Sequence, residues 1–261
     1  MPQGEKEIPL SPLARLTEGV RVIGELGYDC AEATVGMITS LSDEDIAFLQ
    51  KEHAAGRFNL TACNSFIPGH LPVVTDEAGT AALYAFAEDA IRRMALLGIR
   101  FVVFGSGRVR TIPDGADCAA ARAQIEAFLV HCDACCGKYG MTLVLEPLNR
   151  DETNWCNTVA QGAEIVRRLH LPHVYLLADS YHMARENEPL SVLYENRDIL
   201  RHCHVAAADR RIPGKTEYED RFMEALREIG YDGIVTVECS FRDFAAEAEE
   251  AAVYLRKQQA E

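Results

Sequence analysis

The 261-residue sequence contains no apolar run near the roughly 20 residues that a membrane-spanning helix needs. Its opening, MPQGEKEIPL, lacks the apolar core of a signal peptide, so a cytoplasmic protein is expected. Basic residues are the minority, 26 Lys and Arg against 40 Asp and Glu. The resulting net charge of −14 argues against nucleic acid or an anionic membrane as the main partner. No linker, low-complexity tract or interruption long enough for a second domain breaks the chain, so residues 1–261 read as a single domain. A second cysteine pair is also missing. The CxxC within HCDACC, His131 to Cys136, stands alone in a helical pattern and reads as helix packing rather than zinc. The nine cysteines are an odd number, and Cys63, Cys203 and Cys239 fall in apolar strand-like runs, which fits reduced thiols. The two glycines of FGSGRVR, Phe104 to Arg110, lack the rest of a dinucleotide fingerprint. A tight turn is the commoner reading. The functional alternative is backbone N–H groups, with Arg108 and Arg110, contacting substrate or phosphate.

What is present is an ordinary globular composition, 48% hydrophobic and 25% charged, with β and α patterns in strict alternation. Strands are expected at Asp29–Val35, Phe58–Asn64, Ile99–Phe104, Met141–Glu146, Val174–Asp179, His202–Val205 and Ile234–Glu238. Helices are expected at Ser11–Leu26, from Ser42 to Gly56, and at Thr75–Leu97, Asp117–Tyr139, Asn157–Leu169, Pro189–Leu200, Glu217–Ile229 and Phe241–Leu255. Alternation of this kind means a parallel sheet with right-handed crossovers. A closed (β/α)8 barrel of TIM type needs an eighth strand before the first helix, where only EKEIPL is available. The first strand is therefore expected to be short or missing, and an open doubly wound sheet is the structural rival.

Polar groups at strand ends separate the two. In LVLEPLNRDETNW, Leu143 to Trp155, a buried strand delivers Glu146, and Pro147 then ends the ladder. Asp179, His204 and Glu238 stand at the ends of the next three strands. In an open sheet four such ends spread over tens of ångströms, whereas in a barrel they converge on one axis. Singly, each has a plainer reading: Asp179 as a helix cap, His204 as a core histidine. Together, three carboxylates and one imidazole suit a single divalent ion such as Mn²⁺, Co²⁺, Mg²⁺ or Zn²⁺. The lack of thiolate ligands sets aside a structural zinc site.

The motifs EPLNRDE, ADSYHM, HCHVAAADR and IVTVE resemble those of the xylose-isomerase-like TIM barrels, and within them the D-tagatose/D-psicose 3-epimerases and related sugar isomerases, including hydroxypyruvate isomerase. The resemblance runs from Gly27 to the C-terminus, is specific over residues 141–240, and is loose before that. It implies that Glu146, Asp179, His204 and Glu238 bind one divalent metal, with Mn²⁺ the expected ion. It also implies that Glu146 and Glu238 act as the acid/base pair and that Glu152, His182 and Arg210 hold the substrate. EKEIPLSPLARL matches the family's first strand poorly, and Cys239 stands where the family more often has proline or alanine.

Moving a carbonyl, or inverting the centre beside it, requires removal of a weakly acidic C–H proton. A divalent ion can stabilise the cis-enediolate that forms, and two opposed carboxylates can remove and return the proton. A sugar isomerase or 3-epimerase acting on a ketose, an aldose or a phosphate of either is the leading expectation, with a small-molecule sugar as partner and a homo-oligomer open. A metal-dependent lyase or dehydratase is the enzymatic alternative, and a non-catalytic sugar-binding subunit the other. An endonuclease IV-like activity ranks behind these, because few of the eight histidines stand at strand ends. For His182 the plainer reading is a partner of Asp179, and for Arg210 a structural bridge to Asp209 or Glu152. Asn64, Phe66 and Trp155 fall on loops at the expected active end, with the aromatics read as walls against a sugar or as oligomer contacts.

Overall fold

Apolar runs such as Phe101–Phe104 and Thr142–Leu145 carry no alternation of polar and apolar residues, because both faces of these strands are covered. The computed structural model describes residues 11–260. The first half runs α1 (Pro12–Glu25), β1 (Ala31–Thr34), α2 (Val35–Thr39), α3 (Asp43–Ala54), β2 (Leu60–Asn64), α4 (Glu77–Leu96), β3 (Phe101–Phe104), α5 (Gly107–Arg110) and α6 (Cys118–Tyr139). There follow β4 (Thr142–Leu145), α7 (Val159–Leu169), β5 (Val174–Asp179), α8 (Ser180–Arg185) and α9 (Ser191–Glu195). The chain continues with β6 (Leu200–Val205), α10 (Glu217–Glu228), β7 (Ile234–Val237) and α11 (Phe244–Ala260). The seven expected strands are all present. Each pairs in parallel with the next in sequence, in the order β1 to β7. The expected first strand, Glu5 to Leu10, lies outside the described residues.

The sheet is rolled. In a flat sheet β1 and β6 would lie five strand spacings apart, about 24 Å. Glu32 on β1 nevertheless reaches His202 on β6 at 2.9 Å, and Asn64 at the end of β2 donates to Glu238 beyond β7 at 2.7 Å. An open doubly wound sheet cannot make these contacts. Strand parity then sorts the side chains. Val102, Leu143 and Leu176 pack outward into the main core beneath the helices. Val103, Val144 and Leu177 form a separate cluster inside the barrel. Two residues further along the same strands come Gly105, Glu146 and Asp179, so the next interior layer is the polar one.

Helix ends follow local rules. Ser42 and Asp45 form a reciprocal capping box at the start of α3, and Thr216 and Glu219 do the same for α10. One expected helix is shorter than its pattern, and the last is displaced along the chain. Pro189–Leu200 yields only α9, because the Asn196 side chain bonds back to the Val192 carbonyl and the chain enters β6 at Leu200. The last helix starts at Phe244 rather than Phe241. No described helix is long and apolar enough to cross a membrane.

The outer core is centred on Phe128 of α6, which contacts the rings of Phe66, Phe104 and Tyr84 at centroid distances of 6.1, 5.4 and 6.0 Å. Phe128→Ala is expected to cost about 3–5 kcal/mol, measured by denaturant unfolding. A loss below about 1 kcal/mol would mean that this cluster does not anchor the helix layer.

Candidate metal and substrate site

Four of the inward-facing strand ends meet. One donor atom from each of Glu146, Asp179, His204 and Glu238 lies within 4.8 Å of all the others. His204 is central: its Nδ1 is 3.1 Å from Glu146 Oε1 and 3.3 Å from Glu238 Oε2. Level strand ends bring this about, since Asp179 pairs in register with His204 and His204 with Thr236. Asp179 fulfils its plainer reading as a helix cap. Its Oδ1 caps α8 by accepting from the Tyr181 N–H at 2.8 Å, while its Oδ2 is buried without a hydrogen-bond partner.

The electrostatics describe a site short of positive charge. Burial, reinforced by Glu146, pushes the Asp179 carboxyl up to about 7. Burial also raises Glu146. For Glu238 burial is outweighed by His204 and Arg210, which hold its carboxyl below the usual range. Burial likewise opposes charge on His204, yet Glu32, Glu238 and Glu146 keep the imidazole well above its ordinary value. One imidazolium among three carboxylates leaves negative charge in a low-dielectric interior, and buried charge persists only when paired or bound to a metal. The orphaned Asp179 oxygen and the oxygen-rich donor set fit a hard divalent cation.

The surrounding residues hold these groups in place. Arg110 is fully buried, and its guanidinium donates to the carbonyls of Phe104 and Glu146, each at 2.6 Å, between the rings of Phe104 and Trp155. It therefore fixes the backbone at the Glu146 strand end and is closed off from solvent, while Arg108 is exposed. The functional alternative for FGSGRVR is corrected to a structural turn. A Cβ at Gly105 would overlap Glu146 Oε2 and push that carboxylate from its place. Phe66 is also corrected. It is wholly buried, packed on Phe104 and Phe128, and is neither a sugar wall nor an exposed contact. Trp155 is buried against Arg110 in the same way. Cys132, Cys135 and Cys136 pack into the core from α6.

Glu152, His182 and Arg210 come together above the cluster. Arg210 Nη2 donates to Glu238 Oε2 at 2.8 Å, Nη1 lies 3.1 Å from His182 Nε2 and 3.8 Å from Glu152 Oε1, and the guanidinium sits 4.5 Å from the centroid of the Tyr181 ring. Burial, with Arg210 beside it, lowers His182 to about 2, so the ring is neutral. The Asn149 backbone N–H faces Nδ1 at 3.1 Å and the Arg210 guanidinium faces Nε2 at 3.1 Å, so a donor stands at each ring nitrogen, and Nε2 also lies 3.6 Å from Asp179 Oδ2. Glu152 is more open, at the rim. Asn64, expected on a loop at the active end, instead ends β2 there, and its contact with Glu238 is what the sequence did not disclose. Its Nδ2 binds Glu238, and its buried Oδ1 has no partner.

The family model for the xylose isomerase-like TIM barrel matches residues 20–258. The chain belongs to this family. The barrel is 26% identical over 229 residues to D-psicose 3-epimerase of Agrobacterium fabrum, covering 84% of this chain and 77% of that one. It is 36% identical over 105 residues to 3-dehydro-D-guloside 4-epimerase of Escherichia coli, a match spanning 40% of either chain. A crystal structure of the IolI protein with a bound zinc atom superposes with a TM-score of 0.73 at 21% identity, covering 94% of this chain and 91% of that one.

For this xylose isomerase-like barrel the raised Asp179 carboxyl has a consequence in the presence of a chelator. Its folded value, about 7, exceeds the unfolded value of about 4. Its stabilising contribution is therefore present below about pH 4 and lost as pH rises through about 7. Asp179→Asn removes that dependence. Thermal unfolding in EDTA is expected to show the variant gaining on wild type between pH 5 and pH 8. A constant difference across that range would contradict the charge deficit.

Proposed function

We propose that the protein is a divalent-metal-dependent sugar epimerase that inverts the carbinol carbon next to a ketone by proton transfer. The observation that carries this reading is the convergence of two carboxylates, Glu146 and Glu238, on the same nitrogen, His204 Nδ1, at 3.1 and 3.3 Å in one buried cluster. The relatives' names support it, since a ketose 3-epimerase and a 3-dehydro sugar 4-epimerase both act on the carbon beside a carbonyl. Glu146, Asp179, His204 and Glu238 would hold the ion, and Mn²⁺ suits three carboxylates and one imidazole, with Co²⁺, Mg²⁺ and Zn²⁺ as alternatives. A bound divalent ion supplies the positive charge that stabilises the two oxygens of a cis-enediolate.

The protein's own groups divide the remaining work. Glu238, held ionised by His204 and Arg210, is disposed to take the carbon-bound proton. Glu146, whose carboxyl is raised by burial, is disposed to return a proton to the opposite face. The roles exchange in the reverse direction. Arg210, beside the neutral His182, supplies positive charge and N–H donors for a substrate oxygen. Glu152 at the rim is placed to accept from a sugar hydroxyl. The nine thiols, none in a disulfide, fit a reducing compartment, which we take to be the cytoplasm.

The test is turnover of ketoses and 3-keto sugars by the Mn²⁺-loaded protein in D₂O, with product identification. The product should carry deuterium at the carbon next to the carbonyl. Glu238→Gln should lower kcat by about 10²–10⁴-fold and abolish the exchange, since the amide keeps the shape and loses the base. Inversion without deuterium uptake would remove Glu146 and Glu238 as proton carriers. An unsaturated, dehydrated product would assign the site to elimination instead.

A further inference from the structure

His204 has a second neighbour that the chemistry above leaves unused. Its Nε2 lies 3.2 and 3.4 Å from the two oxygens of Glu32, on β1 at the far end of the described sheet. Glu32 Oε2 is also 2.9 Å from His202 Nε2. The Glu32 side chain is 4% exposed and both imidazoles are wholly buried. The two rings stand edge to face, 5.0 Å between centroids. A carboxylate is thus enclosed between two imidazoles directly beneath the proposed ligand cluster.

We infer that Glu32 is a positioning residue for the metal site: it accepts Nε2–H of His204, so that Nδ1 is the nitrogen presented to the ion, and His202 braces Glu32 from its other oxygen. This rests on the proposal that an ion binds among Glu146, Asp179, His204 and Glu238. The physical argument is the tautomer. A neutral imidazole carries one proton, and a carboxylate at hydrogen-bond distance from Nε2 keeps it there. Nδ1 is then free of hydrogen and faces Glu146 and Glu238, the two carboxylates that would share the ion. The hydrogen bond also locks the ring plane and increases the basicity of Nδ1, as outer carboxylates do for metal-bound histidines. A separate ion held by Glu32, His202 and His204 is the competing reading of the same three side chains. Alongside an ion at Nδ1, it would require the His204 ring to bind metal through both nitrogens as an imidazolate, with no proton left for the Glu32 contact.

Two measurements on the Co²⁺-loaded full chain test this. With ¹⁵N-labelled histidine, wild type should show one hyperfine-shifted imidazole N–H that exchanges slowly with D₂O, from a ring metallated at Nδ1 and protonated at Nε2. Co²⁺ competition titrations should then give Glu32→Gln an affinity about 10–100-fold weaker than wild type, and Glu32→Asp should recover part of the loss. The shifted N–H should move in Glu32→Gln and exchange rapidly in Glu32→Ala, changes that a merely structural role would not produce. Metallation at Nε2, or unchanged affinity and resonance in folded Glu32→Gln, would overturn the inference while leaving the metal site standing. The wild-type spectrum decides the matter if the variants do not fold. Failure of wild type to bind Co²⁺ would overturn both.

Discussion

The arrangement depends on one electrostatic constraint. Three carboxylates converge inside a barrel, and buried carboxylates repel one another unless positive charge lies between them. Within the protein, His204 supplies that charge at the centre and Arg210 from above. Much else near the strand ends serves to hold these groups where solvent cannot screen them. Arg110 ties the Glu146 backbone to β3, Asn64 holds Glu238, and the Ser180 hydroxyl links the end of β5 to Ala206 beyond β6. A site built this way has its geometry set by the scaffold before a ligand arrives, which catalysis by positioned charge requires.

Position in the barrel explains why these residues and not their neighbours are used. Inward parity along β3, β4 and β5 places an apolar layer of Val103, Val144 and Leu177 first, and the polar layer two residues later. At the equivalent place just beyond β3, Gly105 leaves open the space that the Glu146 carboxylate occupies. The apolar layer is a dry floor, so the carboxylates above it act in a medium of low dielectric constant. The asymmetry between a raised Glu146 and a lowered Glu238 follows from their surroundings, since Arg210 donates directly to the second.

Much of this was legible in the sequence, and for a physical reason. Strand ends are marked locally, by Pro147 after Glu146 and by the helix that Asp179 caps, and a barrel brings consecutive strand ends together. Glu146, Asp179, His204 and Glu238 could therefore be grouped without knowledge of any side-chain contact. Glu152, His182 and Arg210 were placed by family resemblance, and the structure gathers them at the same mouth. What escaped depends on pairings between distant strands. Asn64 meets Glu238 and Glu32 meets His202 only because the sheet closes, and nothing local in YDCAEATV announces that Glu32 points inward. Phe66 was read as exposed because Pro68, Gly69 and Pro72 follow it, and Trp155 because it ends the polar run NRDETN. In fact their rings fill the core and the flank of a buried arginine.

The central claim is that four side chains from consecutive strand ends make one cation site. Anomalous diffraction from Mn²⁺-soaked crystals, recorded at the manganese edge, tests it most directly. The account predicts a single strong peak about 2.0–2.4 Å from oxygens of Glu146, Asp179 and Glu238 and from His204 Nδ1. A peak held by Glu32 and His202 instead, or no peak within the barrel mouth, would contradict it.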